Sequence, residues 1–169
     1  MKAVLQRVTS AGVAIDGGPR QGIGPGLVIL FGVEEGDREE YVDAFVQKIV
    51  HLRIFSDEAG KLNLSLLDQG YSVLAVPNFT LCANCKKGRR PSFERSARPD
   101  FASACFDALA AGLRAAGAAE VVCGQFGADM AVDLVNDGPV TLICLLYTSQ
   151  RSASGNWREK MQKPFRSSR

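Results

Sequence analysis

Polar and apolar residues alternate from position 2 to position 15, a stretch that holds Val4, Val8, Val13 and Ile15. A period of two predicts a strand. Gly17-Gly18-Pro19 and Gly24-Pro25-Gly26 read as turns. Leu27 to Val33 is a short, β-branched apolar run and predicts a buried strand. The period then changes. Val42, Phe45, Val46, Ile49 and Val50 fall on one face of a helix. Asp37 is its expected N-cap, with Glu39 and Glu40 in the first turn and Lys48 and Arg53 toward the C-terminal end, as the helix dipole favours. Ile54-Phe55 begins a strand that breaks at Asp57-Glu58-Ala59-Gly60, and Ser72 to Val76 is a further strand ending at Pro77. Residues 82 to 98 read as polar loop. Pro99 and Asp100 open a second helix, rich in Ala and Leu, that ends at Gly117. Strands follow near 119–125, 130–136 and 139–146. The last two are separated by Asn136-Asp137-Gly138-Pro139, which reads locally as a hairpin turn. This order predicts an α+β fold, with a mainly antiparallel sheet covered by two helices.

The chain's 169 residues suit one domain, expected over 1–146. Positions 147–169 carry six Lys or Arg after Gln150 and little apolar periodicity, so a basic, disordered tail is expected there. It reads as an RNA-touching arm, a solvated extension or a misassembled gene end. A formal charge of +2 does not mark the whole chain as a nucleic-acid binder; any basic surface must be local. No apolar run has the length of a membrane span. The N-terminal apolar residues alternate and are interrupted by Arg7, unlike a signal peptide, so the cytoplasm is the expected compartment. Five scattered cysteines argue for reduced thiols. Cys82 and Cys85 form a CxxC with no second pair, and the one histidine, His51, sits in the first helix. No metal is expected.

Three stretches could carry chemistry. In Ala75-Val-Pro-Asn-Phe-Thr-Leu81 a strand ends at Pro77 and offers the Asn78 amide, the Phe79 ring and the Thr80 hydroxyl. Rigid sheets favour such strand ends as sites; the plain alternative is a Pro turn with a buried ring. Between 86 and 98 lie Lys86, Lys87, Arg89, Arg90, Arg95 and Arg98, opposed only by Glu94. A basic loop constrained by Gly88 and Pro91 suits phosphates, although a charge run is more often a solvated face. Phe126 and Met130 either pack in the core or line a pocket for a flat base. No Ser-His-Asp pattern, P-loop or zincin motif is present. Catalysis would rest on backbone groups, a hydroxyl or the substrate. Pro139, directly after Gly138, also withdraws an N–H from any ladder there. That raises the question of whether the Gly-Pro peptide is punctuation or a working part.

The segments MKAVLQRV, IGPGLVILFGVEEGD, LRIFSDEAGKLNLS, FTL, KGRRPSF and FGADMAVDLVNDGPVT, in this order from residue 1 to about 145, resemble D-aminoacyl-tRNA deacylase. The resemblance implies a β-barrel-like core with helices packed outside, and a cytoplasmic homodimer that needs no cofactor. It implies proofreading in translation: hydrolysis of the ester joining a D-amino acid, or mischarged glycine, to the 3′-terminal adenosine of tRNA. DNA and membranes are not expected partners. By the same resemblance Gly138-Pro139 is cis and enters the partner's active site, where its carbonyl oxygens exclude an L side chain, and Arg7 holds it. Asn78, Phe79 and Thr80 fall at the catalytic strand-end motif. Backbone N–H groups near Phe79 and Thr80 face the oxyanion. Thr80 acts as nucleophile, or positions the ester while the adenosine 2′-hydroxyl helps activate water. Pro77, Ala102, Phe126 and Met130 fall at pocket positions. Lys86, Lys87, Arg89 and Arg90 are expected to meet tRNA. Pro77-Asn78 departs from the usual Ser-Gln of the family motif. A related branch that clears L-alanine from mischarged tRNA shares that Pro, which keeps two alternatives open: an L-alanyl-type deacylase, and a non-catalytic module that binds the tRNA acceptor end.

Overall fold

The structure is a computed structural model and describes residues 1–86 and 88–145. The expected tail at 147–169 and the expected tRNA-binding Lys87 lie outside the described residues. Strand β1 (Lys2–Ile15) has the predicted length and is the hub of the sheet. Its first half pairs antiparallel with β3 (Gly26–Gly32), and its second half with the short β2 (Gln21–Ile23). The other edge of β1 pairs antiparallel with β8 (Met130–Leu145) from end to end. Beyond β3 come β6 (Ser72–Pro77) and β7 (Val121–Cys123), each parallel to its neighbour. The expected antiparallel pairing thus holds around β1, and a parallel half continues the sheet. The parallel half follows from its connections. Helix α1 (Val42–Val50) lies between β3 and β6, and helix α3 (Pro99–Ala115) between β6 and β7. Parallel neighbours require such crossovers.

Strand periodicity sorts the core onto two faces. Leu27, Ile29, Phe31, Val73 and Ala75 pack against Phe45, Ile49, Leu109 and Leu113 of the two helices. Val28, Leu74 and Val76 point the other way and meet Val8, Val13, Ile23 and Val122 inside the curled, nearly closed, barrel-like sheet. Both faces of β3 and β6 are therefore covered, which is why their sequences read as continuous apolar runs. A small hairpin of β4 (Phe55–Ser56) and β5 (Leu62–Leu64) precedes a one-turn helix, α2 (Leu66–Gln69).

Three expectations change. The two strands predicted around Gly138-Pro139 are one strand, β8. Gln6 faces Thr141 and Val8 faces Asn136, so Arg7 alone spans the four residues 137–140. The expected hairpin turn is a wide bulge, because β1 lies alongside both halves and gives each its ladder. Asp37 does not cap α1. A 3₁₀ turn (Glu39–Tyr41) comes first, and the buried Asp37 carboxylate accepts from the Glu34 N–H at 2.8 Å and pairs with the Met1 ammonium. Finally, residues 82–98 are not featureless. Asn84 and Ser92 exchange two backbone hydrogen bonds of 2.8 and 3.1 Å, closing a hairpin with Lys86, Arg89 and Arg90 at its tip.

Candidate active site

Strand β6 ends on Pro77, opposite Phe31. The Asn78 N–H donates to the Phe31 carbonyl at 2.7 Å, and the chain turns into a 3₁₀ helix, Phe79–Cys82. Asn78 is the cap. Its Oδ1 accepts the Thr80 N–H at 3.2 Å and the Thr80 hydroxyl proton. An amide oxygen only accepts, so the Thr80 hydroxyl donates to it and keeps its lone pairs for other donors. An amide is also no base, so nothing here draws the proton off Thr80. The Thr80 N–H is engaged as well. The Phe79 N–H opens the helix and has no partner within it.

Beside this turn lies an apolar cavity of ≈ 390 Å³, whose lining includes Phe31, Gly32, Pro77, Phe79, Ala102 and Phe126, together with Phe106, Ser96 and Ala97. No lining side chain titrates. Four predicted pocket or strand-end residues thus converge: Pro77, Phe79, Ala102 and Phe126. Met130 stands off the lining. Its sulfur lies over Gly124, near Pro77, and it packs with the inner core cluster. Gly32 is required by close approach: a Cβ there would sit 2.8 Å from the Asn78 carbonyl oxygen and 3.2 Å from Cys82 Sγ. Phe31 and Phe106 were legible only as core; the signal that they wall a cavity is tertiary.

The Gly-Pro bulge is a second construction. The Gly138–Pro139 peptide is cis, and both residues are exposed. Asn136 closes its base, accepting the Val140 N–H at 2.9 Å and donating to Thr141 Oγ1 at 3.2 Å. Arg7, only 8% exposed, braces it. Its Nε lies 3.3 Å from the Asp137 carbonyl and 2.9 Å from the Asp137 carboxylate, and its Nη1 donates to the Ile54 carbonyl at 2.7 Å. Gly138 has φ +122°, a conformation that favours glycine. Asn136 and Asp137 were read as turn formers; their bracing role needed the β1 register. The bulge and the cavity share no lining residue, so Gly138 and Pro139 do not enter the cavity of their own chain.

The tRNA-binding candidates sit apart from the cavity. Lys86 lines a basic recess with Lys2 and Arg95, while Arg89 and Arg90 are exposed at the hairpin tip. The CxxC does not converge: buried Cys82 donates to the Val33 carbonyl at 3.3 Å, and Cys85 faces solvent. Burial pushes the thiols of Cys82, Cys123 and Cys144 up, and that of Cys105 up to about 11. These four are protonated at neutral pH and are poor nucleophiles.

Together these features define a small barrel-like α+β domain with an apolar strand-end cavity and a braced backbone bulge. The family model for D-Tyr-tRNA(Tyr) deacylase matches residues 4–145, and the chain belongs to that family. It is 51% identical over 143 residues to the D-aminoacyl-tRNA deacylase of Pelobacter propionicus, covering 85% of this chain and 98% of that protein. The D-aminoacyl-tRNA deacylase of Chloroflexus aurantiacus is 53% identical, with 85% and 89% covered. Among solved structures, one titled c-Myc DNA Unwinding Element Binding Protein superposes with a TM-score of 0.81 at 37% identity, covering 87% of this chain and 99% of that one. A probable eukaryotic D-amino acid tRNA deacylase, at 18% identity and a TM-score of 0.75, shares the fold.

Proposed function

We propose that this chain hydrolyses the ester of D-aminoacyl-tRNA and works as a homodimer. The observation that carries the reading is the separation just described: a cavity with no titratable lining, and an exposed, braced Gly138–Pro139 bulge that lies outside it. A site of this kind is completed when the bulge of one copy enters the cavity of another. The outer edge of β8 has no strand partner among the described residues, and Val132, Val135, Ile143 and Leu145 on that strand are exposed. They offer a second copy an apolar surface.

In this reading the terminal adenosine occupies the cavity between Phe126 and Ala102. The Phe79 N–H donates to the oxyanion that forms when water attacks the ester carbonyl; such preorganised donors supply a large share of transition-state stabilisation. Thr80, pinned by Asn78, is not the nucleophile; its free lone pairs accept from a donor of the substrate, the α-ammonium or the adenosine 2′-hydroxyl, and so position the ester. With no base in the cavity, the adenosine 2′-hydroxyl helps to activate water. The partner's bulge rejects an L side chain by sterics and admits glycine, which has none, so glycyl-tRNA is a second substrate.

Single-turnover hydrolysis of D-Tyr-tRNA and L-Tyr-tRNA, side by side, tests the reading. Rapid loss of the D-ester alone is expected. Pro77 at the cavity wall favours one competing reading, an L-alanyl-type deacylase. Rapid clearance of mischarged L-alanyl-tRNA with D-Tyr-tRNA untouched would establish that reading. Binding of tRNA with no turnover of any ester would leave only an acceptor-end binding module.

A further inference from the structure

Phe79 and Phe93 are the only phenylalanines left strongly exposed among the described residues, at 54% and 37%. They touch each other edge-on, with ring centroids 5.0 Å apart and planes at 61°. Burying such a pair would stabilise the chain by several kcal/mol in general terms, yet here it faces solvent. Its neighbours explain what it could meet. Phe79 is part of the cavity wall. Phe93 follows Ser92, which closes the basic hairpin. Lys86, Arg89 and Arg90 on that hairpin form no ion pair among the described residues. Along this surface the order is apolar cavity, exposed rings, cations.

We propose that the Phe79–Phe93 pair is a stacking platform for the base that precedes the terminal nucleoside of a single-stranded RNA 3′ end. The inference rests on the reading above, in which that nucleoside fills the cavity. Single-stranded nucleic acid alternates flat bases with phosphates, and proteins that hold it combine aromatic rings with a cationic track. The rings stand where the next base would leave the cavity, and the cations stand where its phosphates would follow. A second copy of this chain is the rival occupant. The charge around the rings suits RNA, whereas the exposed apolar residues that suit a second copy lie on β8.

The test uses the full chain and two substrates: D-Tyr-tRNA, and the D-tyrosyl ester of adenosine alone. Phe93→Leu keeps apolar packing against Phe79 but removes the ring face; Phe93→Ala removes both, and Phe93→Trp restores a face. Stacking worth about 1–3 kcal/mol per base corresponds to a roughly five- to 150-fold loss of kcat/KM. That loss is expected on tRNA for the Leu and Ala variants, with the adenosine ester unaffected, the Trp variant near wild type and sedimentation unchanged. Equal losses on both substrates, wild-type behaviour of Phe93→Leu on tRNA, or dissociation into monomers would overturn the platform. Should wild type cleave neither ester, the deacylase reading fails, and a separate readout decides the platform. The Phe93→Trp variant is titrated with a short single-stranded RNA bearing a free 3′ end. Quenching beyond that of the wild-type chain, which carries Trp157, supports the platform, and quenching no greater than wild type's overturns it.

Discussion

Asn78 holds both hydrogens of its neighbour Thr80, the amide and the hydroxyl, on one oxygen. The side chain that reads as most reactive is thereby fixed as an acceptor. Gly32 makes this arrangement possible, since it leaves space for the Asn78 carbonyl. Gly32→Ala places a methyl 2.8 Å from that backbone oxygen, which cannot swing aside as a side-chain tip can. The 3₁₀ turn must shift. Displacements of about 1 Å at a catalytic group cost on the order of 100-fold in rate. We expect kcat to fall by about that factor while the far-ultraviolet circular dichroism stays that of a folded chain. Wild-type kcat in Gly32→Ala would show that the turn does not position the reaction.

At the scale of elements, long periodic segments announced themselves and short ones did not. β1, α1 and α3 were legible because each carries several turns or alternations of one period. β8 was misread at its centre: Asn136, Asp137, Gly138 and Pro139 serve a bulge for the same local reasons that they serve a turn, and only pairing with β1 distinguishes the two. The strand-end motif was visible at Pro77–Thr80, but the cavity beside it draws on Phe31, Phe106 and Ala97 from three other segments that no local pattern joins. Helix α2 was overlooked although Ser65-Leu-Leu-Asp68 encodes its capping box. Hydrogen bonds from the Ser65 hydroxyl and then the Ser65 N–H hold the Asp68 carboxyl below its ordinary range. A depressed folded-state pKa stabilises above the unfolded value, and that contribution is lost as pH falls through the folded one. The melting temperature of wild type should therefore exceed that of Asp68→Asn at pH 7. The gap should close as pH drops below about 4. A gap that persists unchanged to pH 2 would assign the effect to geometry and not to charge.

For the whole molecule, a net charge of +2 conceals a local field. Cations at the hairpin tip displace counterions when they meet phosphates, so affinity falls with salt. Replacing Lys86, Arg89 and Arg90 together by alanine should weaken tRNA binding at low salt. It should also flatten the plot of log affinity against log salt by up to about three units of slope. An unchanged slope would place the RNA elsewhere on the surface.

In the homodimer proposed above, a bulge that lies outside its own cavity has a consequence for dosage. When a site is assembled from two chains, a single chain owns none. At concentrations well below the dimer dissociation constant, working sites increase with the square of the chain concentration. Halving the amount of protein then removes three quarters of the activity, although every chain remains folded.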